Sequence, residues 1–205
     1  MYLPGRALKT LASNSGLTSI VHFQYVLFFL ISILVVACQP TNPESISVED
    51  IDFGTTDDSE LFFKNVRQSY YDKEEIEAAG MDVFRMSDRN LTASYPLIHL
   101  AIAYNWRNDQ AFLMVEPNEY ITDPQEFKLL SIDPTGNDTT AIDYAMGNMK
   151  DQVAFAHQLF LAVTGDAQLY FDVNDEAISV FDKFEDREVI RKTVLDYYKL
   201  IGLIR

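Results

Sequence analysis

From Tyr25 to Ala37 the chain runs without a charge, interrupted only by Ser32, and it meets its single cysteine at Cys38. This run divides everything else. It suits the 7–15 apolar residues of a secretory signal and is short for a bilayer-spanning helix of about 20. With one cysteine there is no disulfide within the chain, so a fold on the far side of a membrane has to be held by its core. The polar residues that begin at Gln39 also place Cys38 outside any core.

Val35-Val36-Ala37-Cys38 resembles the lipobox of bacterial lipoproteins. The resemblance covers the leader and Cys38 alone and implies processing rather than activity. It implies that Cys38 receives a diacylglycerol through its sulfur, that the peptide is cut between Ala37 and Cys38, and that the new amino group is acylated. The thiolate supplies the nucleophile, and several acyl chains together make the attachment durable. Gln39 stands where enteric bacteria place aspartate to retain a lipoprotein in the inner membrane. The implied location is therefore the outer membrane, with the domain facing the periplasm.

The leader has no acidic residue, and its only cations are Arg6 and Lys9. Removing these two from the chain's 16 Lys+Arg leaves 14 against 31 Asp+Glu, a formal charge of −17. Such a chain repels phosphate backbones and, taken whole, anionic headgroups, which excludes nucleic acid as a partner. Residues 38–58, with Pro40, Pro43 and a cluster of acids, read as a lipidated flexible tether. Residues 59–205 are rich in Phe, Tyr, Leu and Ile and are long enough for one domain with its own core.

Within 59–205, Leu61–Tyr71 reads as a strand, and Asp72–Ala79 as a short helix stopped by Gly80. Met81–Met86 alternates and reads as a second strand. Leu97–Trp106 and Ala111–Glu116 form a hairpin about Asn108-Asp109, pairing Trp106 with Ala111, Tyr104 with Leu113 and Ile102 with Val115. One face of that hairpin is core. The other is mixed, carrying His99, Ala103, Phe112 and Met114. Phe127–Ile132 is another strand. A long helix is expected from caps at Asp138–Thr140, with a stripe of Ile142, Met146, Met149, Val153, Ala156, Phe160 and Val163 down to Gly165. Gln168–Val173 and Ala177–Phe181 make a hairpin. A last helix after Glu185-Asp186 buries Ile190, Val194, Tyr197 and Ile201. The whole is α+β: a mostly antiparallel sheet with two C-terminal-half helices packed on one face.

No catalytic constellation accompanies this fold. His99 and His157 stand outside any H-E-x-x-H pattern, and there is no nucleophile elbow, phosphate loop or dinucleotide fingerprint. Asp172-Val-Asn174-Asp-Glu176 begins like a calcium loop, but Ala177 and Lys183 occupy the places of its glycine and glutamate. No metal or cofactor is expected. The reading is a lipid-anchored envelope accessory protein that binds a protein partner through His99, Ala103, Phe112 and Met114. Charge reversal at Ala103 or Met114 should then abolish capture without unfolding. The alternative is a small-molecule binder with an apolar pocket of about 300 Å³ or more between sheet and helices. A third reading, a carboxylate/His hydrolase, needs His99 within hydrogen-bond reach of an acid.

Overall fold

A computed structural model describes residues 42–173 and 176–204. The apolar run, Ala37, Cys38 and the pair Asn174-Asp175, where a turn is expected, lie outside the described residues. Among the described residues, eight strands form two antiparallel sheets of four, accompanied by three α-helices. Sheet A is a meander ordered β1-β2-β3-β4, with β1 Tyr71–Ile76, β2 Met81–Met86, β3 Ile98–Asn105 and β4 Gln110–Pro117. Sheet B is ordered β6-β5-β7-β8, with β5 Glu126–Ile132, β6 Thr139–Ala145, β7 Gln168–Val173 and β8 Glu176–Val180. The helices are α1 Asp57–Phe62, α2 Met149–Thr164 and α3 Phe184–Leu200. The class is α+β with antiparallel sheets and two helices in the C-terminal half; the strands divide between two sheets rather than forming one. None of the described helices is long and apolar enough to cross a membrane.

The first stretch inverts the expected order of strand and helix. Thr56 and Ser59 form a reciprocal capping box, and Asp57, Asp58 and Glu60 crowd the first turn. That start propagates through a π turn, Phe63–Arg67, and a 3-10 turn, Gln68–Tyr70, so Leu61–Tyr70 is helical despite its β-rich composition. Phe63 secures the run, its ring 5.1 Å from that of Phe84 and 5.6 Å from that of Tyr71. The expected helix Asp72–Ala79 is instead the edge strand β1, paired from Tyr71↔Met86 to Ile76↔Met81. Its charges are used across the ladder, Lys73 Nζ lying 2.9 Å from Asp82 and Glu74 2.7 Å from Arg85. Gly80 caps no helix. It holds φ at 67° in the β1–β2 turn, where a Cβ would strike the Arg107 side chain.

The β3–β4 hairpin closes at Asn105↔Gln110, with Asp109 at φ 50°. The turn therefore takes four residues, and the pairing is Tyr104↔Ala111, Ile102↔Leu113 and Leu100↔Val115. This register is displaced by two from the one expected. An even displacement keeps every side chain on its face. Ile98, Leu100, Ile102 and Tyr104 accordingly lie in the core with Leu113 and Phe84.

The helix expected from Asp138 begins only at Met149, capped by Asn148 with Asp151 reciprocating. Thr139–Ala145 is strand β6, because Ile142 and Tyr144 are buried between exposed Ala141, Asp143 and Ala145. That alternation of two overrides the accidental four-residue spacing of Ile142 and Met146. α2 buries more than its stripe, adding Phe155 and Leu159, because it touches β4 on one side and β6 on the other. α3 buries Ile190, Val194 and Tyr197 against α2, β3 and β4, with Ile201 buried just beyond its end.

The expected tether does not run to residue 58. Ile51 is buried, and Ile46, Val48 and Phe53 pack against the core. Ala111 N donates to Phe53 O at 2.9 Å, Thr55 N to Asp109 O at 2.8 Å, and Lys150 Nζ to Glu49 O at 3.3 Å. The four apolar residues spaced through 46–53 give this acidic stretch enough to bury, and the free edge of β4 gives it backbone partners.

Buried between α2 and α3, His157 Nδ1 lies 2.6 Å from Tyr198 Oη. Burial holds the imidazole below its ordinary range, so the unfolded chain binds the proton more readily. Stability is then complete above about pH 6.5 and is lost as pH falls from there through the folded-state value. His99 is shifted in the same sense. Urea midpoints should therefore drop between pH 7.5 and 5.5, and the drop should shrink in a chain carrying His99→Gln and His157→Gln; an equal drop in both chains would contradict this.

Candidate functional site

Strand alternation sends one set of side chains from sheet A toward the helices and the other set away from them. The outer set includes Asp72, Glu74 and Ile76 of β1, Met81, Val83 and Arg85 of β2, His99, Ala101 and Ala103 of β3, and Phe112, Met114 and Glu116 of β4. All four residues singled out from sequence meet on this face. Ala103 pairs with Phe112, Ala101 with Met114 and His99 with Glu116.

The face has two layers. Val83, Ala101 and Ala103 form a small apolar cluster separate from the main core, with Met81, Phe112 and Met114 packed against it and partly exposed. No described helix belongs to this cluster. Alanine at the sheet centre leaves room for the longer side chains to lie across it. Ala103 is 0 % exposed. It is floor rather than contact surface, so charge reversal there cannot leave the fold intact as expected; Phe112 and Met114 are the residues a partner can touch.

An ionic row bounds the apolar part. Arg85 Nη2 donates to Glu116 Oε1 at 2.7 Å, its Nε to the same carboxylate at 2.9 Å, and its Nη1 to Glu74 Oε2 at 2.7 Å. One guanidinium thus ties β1, β2 and β4 together, and these bonds hold it firmly charged. Sequence reading missed the row because its three members lie on three strands, and only the register brings them together. Beyond it opens a cleft of about 420 Å³ lined by Arg85, Arg89, Asn90, His99, Glu116 and Glu119, among others. His99 is half-buried there. Desolvation first, and then the Arg89 charge, hold its imidazole below the ordinary range.

The exposed part of this face offers apolar contact through Met81, Phe112 and Met114. Among the described residues His99 makes no side-chain hydrogen bond to a carboxylate, and Glu116 is taken up by Arg85. No group of three or more His, Asp or Glu converges on a metal position among the described residues. Where β3 meets α3, at Leu97, Ile98, Val189 and Ile190, the gap closes to about 0 Å³. Among the described residues, clefts of more than 400 Å³ open on the Glu116 side of His99 and beside α1 at Lys199, Gly202 and Ile204.

The fold and face define a two-sheet α+β protein with one sheet surface that no described helix covers. Comparison with family models, curated proteins and solved structures finds no match to the chain.

Proposed function

We propose that the chain is a lipid-anchored accessory protein of the bacterial envelope that captures a protein partner on the outer face of sheet A. The supporting observation is the layered patch itself: Met81, Phe112 and Met114 partly exposed over a buried alanine floor and bordered by a fixed ionic row. Packing such as this is normal for a core and costly to leave in water. With Glu74 and Glu116 beside it and a formal charge of −15 on the chain, the complementary partner presents an apolar centre with a basic rim.

Capture of such a partner from envelope extracts by the full chain should fall at least tenfold in Met114→Asp, about 1.4 kcal/mol or more of binding. The thermal midpoint should stay near that of the parent. Undiminished capture would remove sheet A as the docking face. The anchor is tested separately. Cys38→Ser should abolish lipid incorporation and leave the leader uncut, so that the chain keeps its leader mass and is absent from the outer-membrane fraction; unchanged mass and fractionation would end the lipoprotein reading.

A further inference from the structure

The β6 side of sheet B ends in an open ladder. At the two ends of the β5–β6 pairing, Asp133 N donates to Asp138 O at 3.0 Å and Met146 N to Gln125 O at 2.6 Å. Bonds in an antiparallel ladder alternate, so the even-numbered residues of β6 bond β5. The N–H and C=O of Thr139, Ala141, Asp143 and Ala145 therefore point away from it. Among the described residues nothing bonds these groups, and all four residues are exposed. Other edges of the chain are guarded. Residues 53–55 pair with β4, whose Val115 N also donates to Gln152 Oε1 at 3.0 Å. β1 carries four charges in a row, Asp72–Glu75. β6 has one charge in seven residues, no proline and an unbroken register.

Charge and register together say what completes this ladder. Two copies of a chain with formal charge −15 repel, and they approach closely only where acids are few. At physiological salt, charges more than about 8 Å apart are largely screened, so the residues at the contact decide. The one charge of β6, Asp143, sits opposite Lys128 of β5, with 3.8 Å between Oδ1 and Nζ. α2 packs its Phe155 ring 5.0 Å from that of Tyr144 under β6. From Gln152 to its end at Thr164 this helix has no Asp, Glu, Lys or Arg, although Gln158 and Leu161 are exposed. The edge also matches itself. An antiparallel copy related by a two-fold axis at Ile142 overlaps the whole strand, setting Thr139 opposite the partner subunit's Ala145 and Ala141 opposite the partner subunit's Asp143. All the outward groups then find partners, and no acid lies directly opposite another. Moving the axis to Ala141 shortens the overlap, and moving it to Asp143 sets that acid against itself. Addition of a foreign strand takes its specificity from pockets for alternate side chains, and the small outward residues of β6 build none.

We propose that β6 is the contact between two copies of this chain, paired antiparallel about a two-fold axis at Ile142 so that two four-stranded sheets become one. The assembly closes at two, because the pairing consumes the open β6 edge of each copy. This goes beyond partner capture on sheet A and does not depend on it. The test is sedimentation of the full chain carrying Cys38→Ser in nonionic detergent, with circular dichroism verifying that each variant is folded. The parent should sediment as two chains. Ala141→Pro removes an outward N–H and leaves the β5 bonds in place, so it should weaken the dimer about tenfold or more without unfolding the domain. Ala141→Glu sets a carboxylate opposite the partner subunit's Asp143 and should weaken the dimer too, whereas Ala141→Lys should hold or tighten it. Under mild oxidation, a mixture of Ala141→Cys and Asp143→Cys chains should form a disulfide-linked dimer faster than either alone. Opposed, hydrogen-bonded Cα atoms lie about 5.5 Å apart, within disulfide reach. A parent that sediments as one chain would overturn the proposal. So would a dimer indifferent to Ala141→Pro, or one that Ala141→Glu and Ala141→Lys change alike. A single chain that captures a foreign protein, with capture lost in Ala141→Pro, would overturn it in favour of that protein. Met114→Asp should leave the dimer intact, so this proposal and partner capture fail separately.

Discussion

Asp196→Ala is expected to destabilise the domain by about 3–5 kcal/mol, the range for removing one partner of a buried ion pair. Asp196 is 5 % exposed. It accepts from Arg67 Nε at 2.8 Å and from Tyr71 Oη at 2.8 Å, so one carboxylate joins α3 to the helical run 57–70 and to the start of β1. Its loss strands a mostly buried guanidinium and a buried phenol without an acceptor, and each carries its own desolvation cost. Asp196→Asn keeps an acceptor for Tyr71 and should lose about half as much. Urea unfolding measures both. With about 5–15 kcal/mol holding a typical domain, the alanine variant should have a much lower midpoint; a loss below about 1 kcal/mol would show that the three groups hold nothing together.

The second large effect separates floor from contact on sheet A. Ala103→Asp places a carboxylate where the site is 0 % exposed, between Val83 and Phe112 on the neighbouring strands. An unpaired buried charge costs several kcal/mol, so this chain should be largely unfolded at 37 °C by circular dichroism and rapidly cut by protease. Met114→Asp stands on the same face, partly in water, and should cost about 1 kcal/mol or less. Equal behaviour of the two variants would contradict the layered description. A capture experiment on Ala103→Asp would report unfolding rather than recognition.

Burial patterns were legible in the sequence wherever side-chain periodicity carried them. β2, the two faces of β3 and β4, β7 and the stripe of α3 follow from alternation or from steps of three and four. The hairpin kept its faces although its pairing slid by two, since periodicity specifies faces and turn geometry specifies register. Residues 57–79 were misread because local preference pointed the wrong way: Leu61–Tyr70 is β-rich yet extends a well-capped helix, and Asp72–Ile76 is rich in charge yet pairs along β2. β6 was hidden because Ile142 and Met146 fit a helical stripe as readily as Ile142 and Tyr144 fit a strand. The candidate face was half visible. His99, Ala103, Phe112 and Met114 share a side by parity alone, whereas the Arg85 row and the depth of Ala103 depend on distant strands.

The seating of Ile46 against the domain shortens the leash behind it. Eight peptide steps separate Cys38 from Ile46, against twenty to Asp58, so at about 3.5 Å per step the greatest reach is about 28 Å rather than about 70 Å. On the proposal that a lipid holds Cys38 at a membrane, the hemisphere swept from it contracts roughly fifteen-fold, raising the local concentration of whatever shares it by the same factor. A chain anchored in that way would wait close to its bilayer, and a partner embedded in or lying along the same membrane would meet it far more often than one diffusing above.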